Sequence, residues 1–290
     1  MKDDEVSSTA LTVLQGVLYT GNQEKFAHLV SDSMKEACIK ILSSSQVGRK
    51  KLKQLDCKLF TLFVPLAEKL MIPGLSLHYV LRKKYIEEFT RDAINRGFKQ
   101  IVNLGAGFDT LAYRLSQEFN DVTFIEIDHP ATQVHKAEAL LKNNIENLHF
   151  LSVDFAKQNL KDELINFNNF DSEKETIFIS EGVLMYLPQE SVRDLFNSLK
   201  EITNSDMEFI FTFIEPMSEN KDSYGILLDI YLKIKGEHLL WDIKKSEITD
   251  FIKSLNYEEQ SIADADYFKK IYVANIDTIL HRGEVIAVAK

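Results

Sequence analysis

The sequence predicts an α/β fold: a doubly wound sheet of seven strands, preceded by an N-terminal helical extension and carrying one helical insertion. Three observations support this. From residue 99 onward, short β-rich runs alternate with helical ones, as in a parallel sheet with covering helices. The first 97 residues show helical spacing and little strand character. An apolar run, Ile101-Val102-Asn103-Leu104, passes directly into Gly105-Ala106-Gly107 and then a helical pattern, the order expected where a strand of such a sheet meets a ligand.

Taken in order, Ser7 or Ser8 can cap a first helix whose Ala10, Leu11, Leu14, Val17 and Leu18 share one face. Helices follow over residues 28–42 and 82–95, the latter with Tyr85, Ile86, Phe89 and Ala93 as its stripe. Ser43 to Ser45 and Pro73-Gly74 punctuate this part. Strands are expected at 100–104, 122–127, 148–153, 176–180, 208–214, near 258–262 and at 284–289, with helices at 110–118, 131–142, 189–202 and 246–255. Segment 215–245 is long for one connection, and its Tyr224, Leu227, Leu228, Tyr231 and Leu232 repeat at helical spacing. It is a candidate lid insertion. The expected division is a helical extension or cap over 1–97 and a sheet domain over 98–290.

Composition excludes several classes. Of 290 residues, 45% are hydrophobic and 27% charged, which argues for a globular chain with a sizeable core. Acidic residues outnumber basic ones 44 to 34, a net charge of -10, so phosphate backbones are repelled and nucleic acid is not an expected partner. Cys38 and Cys57 form no framework or zinc motif and read as buried thiols of a reducing compartment. The uncharged run 6–23 is preceded by Asp3, Asp4 and Glu5 where a signal peptide carries basic residues. The run 70–81 contains Pro73 and Gly74 and falls short of the ~20 apolar residues of a membrane span. A cytoplasmic location without a membrane partner is expected. No HxxxH or HExxH pair and no GxSxG elbow occur, so neither a metal site nor a serine hydrolase is expected.

The glycine turn is the first candidate site, because Gly105 and Gly107 permit an approach that a Cβ would block. A tight turn without a ligand is the alternative for a GxG alone. The next strand ends in Glu126-Ile127-Asp128, about 20 residues on, where a carboxylate accepts ribose hydroxyls. Asp128, nearer the strand end, is favoured over Glu126, with helix capping before Pro130 as the alternative. Asp109 at the following helix start disfavours pyrophosphate and serves equally as an N-cap. Asp154-Phe155 closes the third strand, suited to an adenine amino group and ring, and Glu181-Gly182 closes the fourth. Acids at one end of four strands suit a positively charged, phosphate-free adenosine cofactor such as S-adenosyl-L-methionine.

The ordered set of motifs resembles the leucine carboxyl methyltransferase family, including its bacterial polyketide-type O-methyltransferase branch. The matching stretches are Ser8-Thr9-Ala10-Leu11, Tyr79-Val80-Leu81-Arg82-Lys83-Lys84-Tyr85-Ile86-Glu87, Leu104-Gly105-Ala106-Gly107-Phe108-Asp109-Thr110, Glu126-Ile127-Asp128-His129-Pro130-Ala131-Thr132-Gln133, Asp154-Phe155 and Glu181-Gly182-Val183-Leu184-Met185-Tyr186-Leu187. The resemblance implies a Rossmann-like class I methyltransferase domain that binds S-adenosyl-L-methionine and releases S-adenosyl-L-homocysteine. It also implies that Arg82 pairs with the cofactor's methionine carboxylate, that Gly105 contacts its backbone and that Asp128 holds the ribose. Asp154 and Phe155 would frame the adenine, and Glu181 would lie near the amino end. Read without the family, Arg82 is one member of a solvated basic face with Lys83 and Lys84.

Eukaryotic members that methylate a phosphatase C-terminus carry a lysine in the N-terminal segment, whereas here no lysine lies between Lys2 and Lys25. A small-molecule acceptor, methylated on a carboxylate or hydroxyl, is therefore expected ahead of a protein C-terminus. A carboxylate is ionised at neutral pH, with a reference pKa of about 4, and needs no general base. A hydroxyl does, and His78, His129 and Glu181 are the candidates, none assigned as catalytic. A non-catalytic cofactor-binding protein and a nicotinamide-dependent oxidoreductase are the other readings, the latter opposed by Asp109 and Thr110. Oligomeric state is not legible.

Overall fold

The structure, a computed structural model, describes residues 8–140, 145–154, 157–219 and 238–290. Among these, five α-helices precede the first strand: α1 (Ser8–Gly21), α2 (Asp32–Ser44), α3 (Gln46–Leu55), α4 (Lys58–Met71) and α5 (Leu75–Arg96). Ser31 caps α2 by accepting from the Met34 N–H, and Ser45 caps α3 by accepting from the Gly48 N–H. Pro65 inside α4 has no N–H for the Thr61 carbonyl, which instead accepts from the Tyr19 hydroxyl of α1 at 3.4 Å.

Seven strands follow: β1 (Gln100–Leu104), β2 (Thr123–Asp128), β3 (Leu148–Ser152), β4 (Thr176–Ser180), β5 (Met207–Ile214), β6 (Glu259–Ala263) and β7 (Glu284–Ala289). They form one sheet in the order β3-β2-β1-β4-β5-β7-β6. β1 to β5 pair in parallel, and β7 runs antiparallel to both β5 and β6. Strand order reverses at β1 and β4, which opens a crevice at their carboxyl ends. The remaining described helices are α6 (Leu111–Leu115), α7 (Pro130–Leu140), α8 (Leu160–Ile165), α9 (Gln189–Ile202), α10 (Lys245–Ser254) and α11 (Ala265–Ile271).

Both faces of the sheet are buried, as parallel sheets require. On one face, Ile101 and Phe124 share a core with Leu14, Val17, Ile41, Val80 and Ile86 from α1, α2 and α5. On the other, Val102, Ile125 and Phe178 pack with Phe196 of α9 and Ile252 of α10. The N-terminal helices thus complete the sheet's own core.

The seven strands fall within a residue or so of expectation. The helices depart more. α3 and α4 are absent from the sequence reading because α3 is mostly charged or polar and α4 carries an internal proline. α5 begins seven residues earlier than expected, since Ser76, Leu77, His78, Val80, Leu81, Arg82 and Lys83 are all buried, leaving no one-sided stripe to detect. α6 stops at Leu115, short of the expected 118. α8 and α11, of six and seven residues, are too short for a periodicity signal. Phe155 and the stretch of the expected lid that holds Tyr224, Leu227, Leu228, Tyr231 and Leu232 lie outside the described residues. Among the described residues, no single helix is long and apolar enough to cross a membrane.

Candidate functional site

The carboxyl ends of β1, β2 and β4 converge on a set of charged side chains presented by α5 and β7. Gly105 follows β1 with φ +65°, a conformation natural to glycine. A Cβ at Gly105 would lie 2.5 Å from Val183 Cγ2, so the neighbouring β4 loop already occupies that side. Glycine at this position is therefore required by the fold itself and not only by the approach of a ligand. Gly107 is open: the nearest side chain to a Cβ there is Ala10 of α1, at 3.8 Å.

Asp128 is tied to this turn. One carboxylate oxygen accepts from the Gly107 N–H at 2.6 Å and the other from the His129 N–H at 2.7 Å. Burial raises its pKa above the ordinary value, against the lowering effect of those two N–H groups. Glu126, two residues deeper on the same strand, is buried and ion-paired to the equally buried Lys136 at 2.5 Å. Burial pushes Glu126 up to about 7, only partly offset by Lys136. The two acids that the strand period places on one side have different surroundings: Asp128 meets the turn and Glu126 the core.

Arg82 of α5 lies between two carboxylates, 2.8 Å from Glu181 after β4 and 2.6 Å from Glu284 at the start of β7. Lys83 contacts Asp109 at 2.6 Å and the same Glu181 at 3.0 Å. His78, one turn before Arg82, meets Glu284 at 2.8 Å. Burial alone would lower the pKa of Arg82 and Lys83, yet their carboxylate partners outweigh it and both are raised. Burial would likewise raise Glu284 and Asp109, but Arg82 with His78, and Lys83 with Lys136 and Arg114, hold them well below the usual carboxylate range. The backbone N–H of Gly182 donates to Thr212 Oγ1 at 2.8 Å, fixing the β4 loop over the arginine. A Cβ at Gly182 would stand 3.7 Å from both terminal nitrogens of Arg82, an ordinary contact distance, so the glycine backbone lies directly beside the buried guanidinium.

Arg82, Gly105, Gly107, Asp128 and Glu181 are thus brought to one edge. Asp154 closes β3 farther along, 2.9 Å from Lys157 and 3.9 Å from the His129 ring. Asp109 stands one residue before Thr110, the N-cap of α6, and its carboxylate accepts from the Leu111 N–H at 3.1 Å, so it braces the helix start without being the cap residue itself. Of the four acids expected at strand ends, Asp109 is engaged by Lys83, and Glu181 by both Lys83 and Arg82. Arg82 and Lys83 are also buried, not part of a solvated face; only Lys84 faces outward, paired with Glu88 at 3.0 Å. Lys83 and Glu284 were missed as site residues. Glu284 opens a strand far from every motif, and only antiparallel pairing, which sets it opposite Ile214 at the end of β5, carries it to this edge. Among the described residues, no group of three His, Cys, Asp or Glu side chains is arranged to hold a metal ion.

Sheet order, antiparallel last strand and glycine turn define the class I methyltransferase fold. A solved "putative methyltransferase" from Thermobifida fusca YX superposes with a TM-score of 0.59 at 15% identity, covering 87% of this chain and 93% of that one. The leucine carboxyl methyltransferase profile matches residues 16–200, and the chain belongs to that family. Two relatives each named "Putative S-adenosyl-L-methionine-dependent methyltransferase" are Rv3399 of Mycobacterium tuberculosis, 34% identical over 129 residues, and YktD of Bacillus subtilis, 32% identical over 137 residues. These matches cover 43% and 46% of this chain and 36% and 44% of those relatives, so less than half of each relative's length is spanned.

Proposed function

We propose that this chain binds S-adenosyl-L-methionine at the carboxyl edge of β1, β2 and β4 and transfers its methyl group to a carboxylate oxygen of a small-molecule acceptor. The observation that carries the binding part is the buried guanidinium of Arg82, held by Glu181 and Glu284 beneath a residue with no side chain. Two cations and three carboxylates, Arg82 and Lys83 with Glu181, Glu284 and Asp109, leave a net negative site. That charge suits a ligand bearing one carboxylate, one ammonium and one sulfonium. Arg82 would receive the methionine carboxylate, Glu181 the amino end, Gly105 and Gly107 the backbone side, Asp128 the ribose, and Asp154 with Phe155 the adenine. Residues 1–97 would cap this edge and 98–290 would form the cofactor-binding domain.

When bound, the sulfonium supplies an electrophilic methyl group open to in-line displacement. The protein's part is to align the acceptor oxygen and exclude water. A hydroxyl acceptor would need a base, and the three candidates are engaged elsewhere. His78 is buried against Glu284, Glu181 is held by Arg82 and Lys83, and the His129 ring accepts from the Ala131 N–H at 3.4 Å. This supports an acceptor that is already ionised. The test is transfer of labelled methyl to a panel of carboxylic acids and phenols between pH 6.5 and 9. Turnover of an acid with a rate flat in pH is expected; turnover confined to phenols, rising tenfold per pH unit, would refute the carboxylate reading. Failure of S-adenosyl-L-homocysteine to raise the melting temperature would refute the cofactor reading as well.

A further inference from the structure

Helix α4 turns a row of large apolar side chains away from the protein. Leu62 is 74% exposed, Leu59 64%, Phe63 53%, Leu66 52% and Leu70 36%, and no residue of the helix is buried. At about 100° per residue these five fall within about 100° of the helix circumference. Glu68 lies on the opposite side, where its carboxylate accepts from the Ser76 N–H at 3.1 Å and anchors α4 to α5. A contiguous exposed apolar row marks an interaction surface.

The charge around the row indicates what it meets. Between residues 49 and 69 the chain carries Arg49, Lys50, Lys51, Lys53, Lys58 and Lys69 against only Asp56 and Glu68, whereas the whole molecule has a net charge of -10. Lys50, Lys53, Lys58 and Lys69 are exposed, and their ammonium groups form no ion pair or hydrogen bond with a described residue. Lys58 and Lys69 project from the same flank of the apolar row, the position from which long cationic side chains reach past an interface. We propose that α3 and α4 form a docking surface for an anionic lipid bilayer, with Leu59, Leu62, Phe63, Leu66 and Leu70 entering the headgroup boundary and the lysines meeting lipid phosphates. A second copy is disfavoured as the occupant, because a two-fold contact would bring two basic surfaces together. The docked helix lies near the site: α1 runs from Ala10, beside Gly107, to Tyr19, which donates to Thr61 of α4. Nine residues of helix span about 14 Å. This inference revises the sequence-based expectation of no membrane partner and does not depend on the methyl acceptor.

Cosedimentation of the full chain with phosphatidylglycerol–phosphatidylcholine vesicles (1:1), against pure phosphatidylcholine, tests it. Partition onto anionic vesicles at least tenfold above neutral ones is expected, falling severalfold between 0.1 and 0.5 M salt. Leu62→Gln/Phe63→Gln and, separately, Lys58→Glu/Lys69→Glu should each lower partition at least tenfold with unchanged circular dichroism, since all four side chains are exposed. No preference for anionic vesicles, or unchanged partition in both variants, overturns the proposal. A concentration-dependent dimer abolished by Leu62→Gln/Phe63→Gln, or retention on soluble polyglutamate with none on vesicles, would assign the surface to a second copy or an acidic protein and overturn it equally.

Discussion

Replacing Gly105 by alanine separates the two demands made on the glycine turn. The backbone there has φ +65°, and the added methyl would lie 2.5 Å from Val183 Cγ2. The left-handed conformation costs a residue with a Cβ about 1–2 kcal/mol. Overpacking against Val183 adds about 1–3 kcal/mol, so Gly105→Ala should lose about 2–5 kcal/mol of unfolding free energy. Val183→Ala removes the opposing methyl but leaves φ unchanged; half-buried, it should itself cost roughly 1 kcal/mol. In the double variant the clash is relieved while the conformational cost persists. The cycle should therefore show a favourable coupling of about 1–3 kcal/mol. Urea denaturation of the four proteins at pH 7 measures this directly, and calorimetric titration with S-adenosyl-L-homocysteine reports the turn's role in binding. Additivity to within about 0.5 kcal/mol would refute the argument, since it would mean that Val183 does not limit the space beside Gly105.

Two further outcomes follow from the charged groups. Asp128→Ala should weaken S-adenosyl-L-homocysteine binding by about 1–3 kcal/mol with a modest loss of stability. Glu126→Ala should instead lose about 3–5 kcal/mol of stability by leaving Lys136 buried without its partner, with affinity changed less than about threefold; the reverse pattern in calorimetry and urea melts would exchange the two roles. Acid should destabilise the fold through Glu284 and Asp109, whose ordinary values are 4.5 and 3.8 and whose folded values are lower. Their contribution is complete above about pH 4.5 and is lost as pH falls, because the unfolded chain takes up protons first. Glu126 acts oppositely: held near 7 against an ordinary 4.5, it makes the fold less stable as pH rises between those values. Urea midpoints from pH 3.5 to 7.5 should show Glu284→Gln flattening the acid limb and Glu126→Gln flattening the limb above 4.5. Unchanged profiles would dissociate these groups from the pH dependence.

The strands were legible in sequence because a sheet buried on both faces demands short β-branched and aromatic runs, and the runs at 100–104, 176–180 and 284–289 meet that demand locally. Gly105, Gly107 and Asp128 were legible too, since a turn conformation and an acid at a strand end are properties of a few adjacent residues. The boundaries of α5 and the existence of α3 and α4 were not. A helix buried nearly all round has no stripe, and a charged helix or one with an internal proline carries little signal of its own. The ionic arrangement of the site belongs entirely to tertiary structure. Whether Lys83 is solvated or buried, whether Glu181 is free or held by two cations, and whether Glu284 reaches the site depend on strand order and on the reversed direction of β7. Charges separated by two hundred residues interact only after the sheet has closed. Sequence therefore determined which residues line the crevice's turn and strand ends, while topology decided which of their charges remain to meet a ligand.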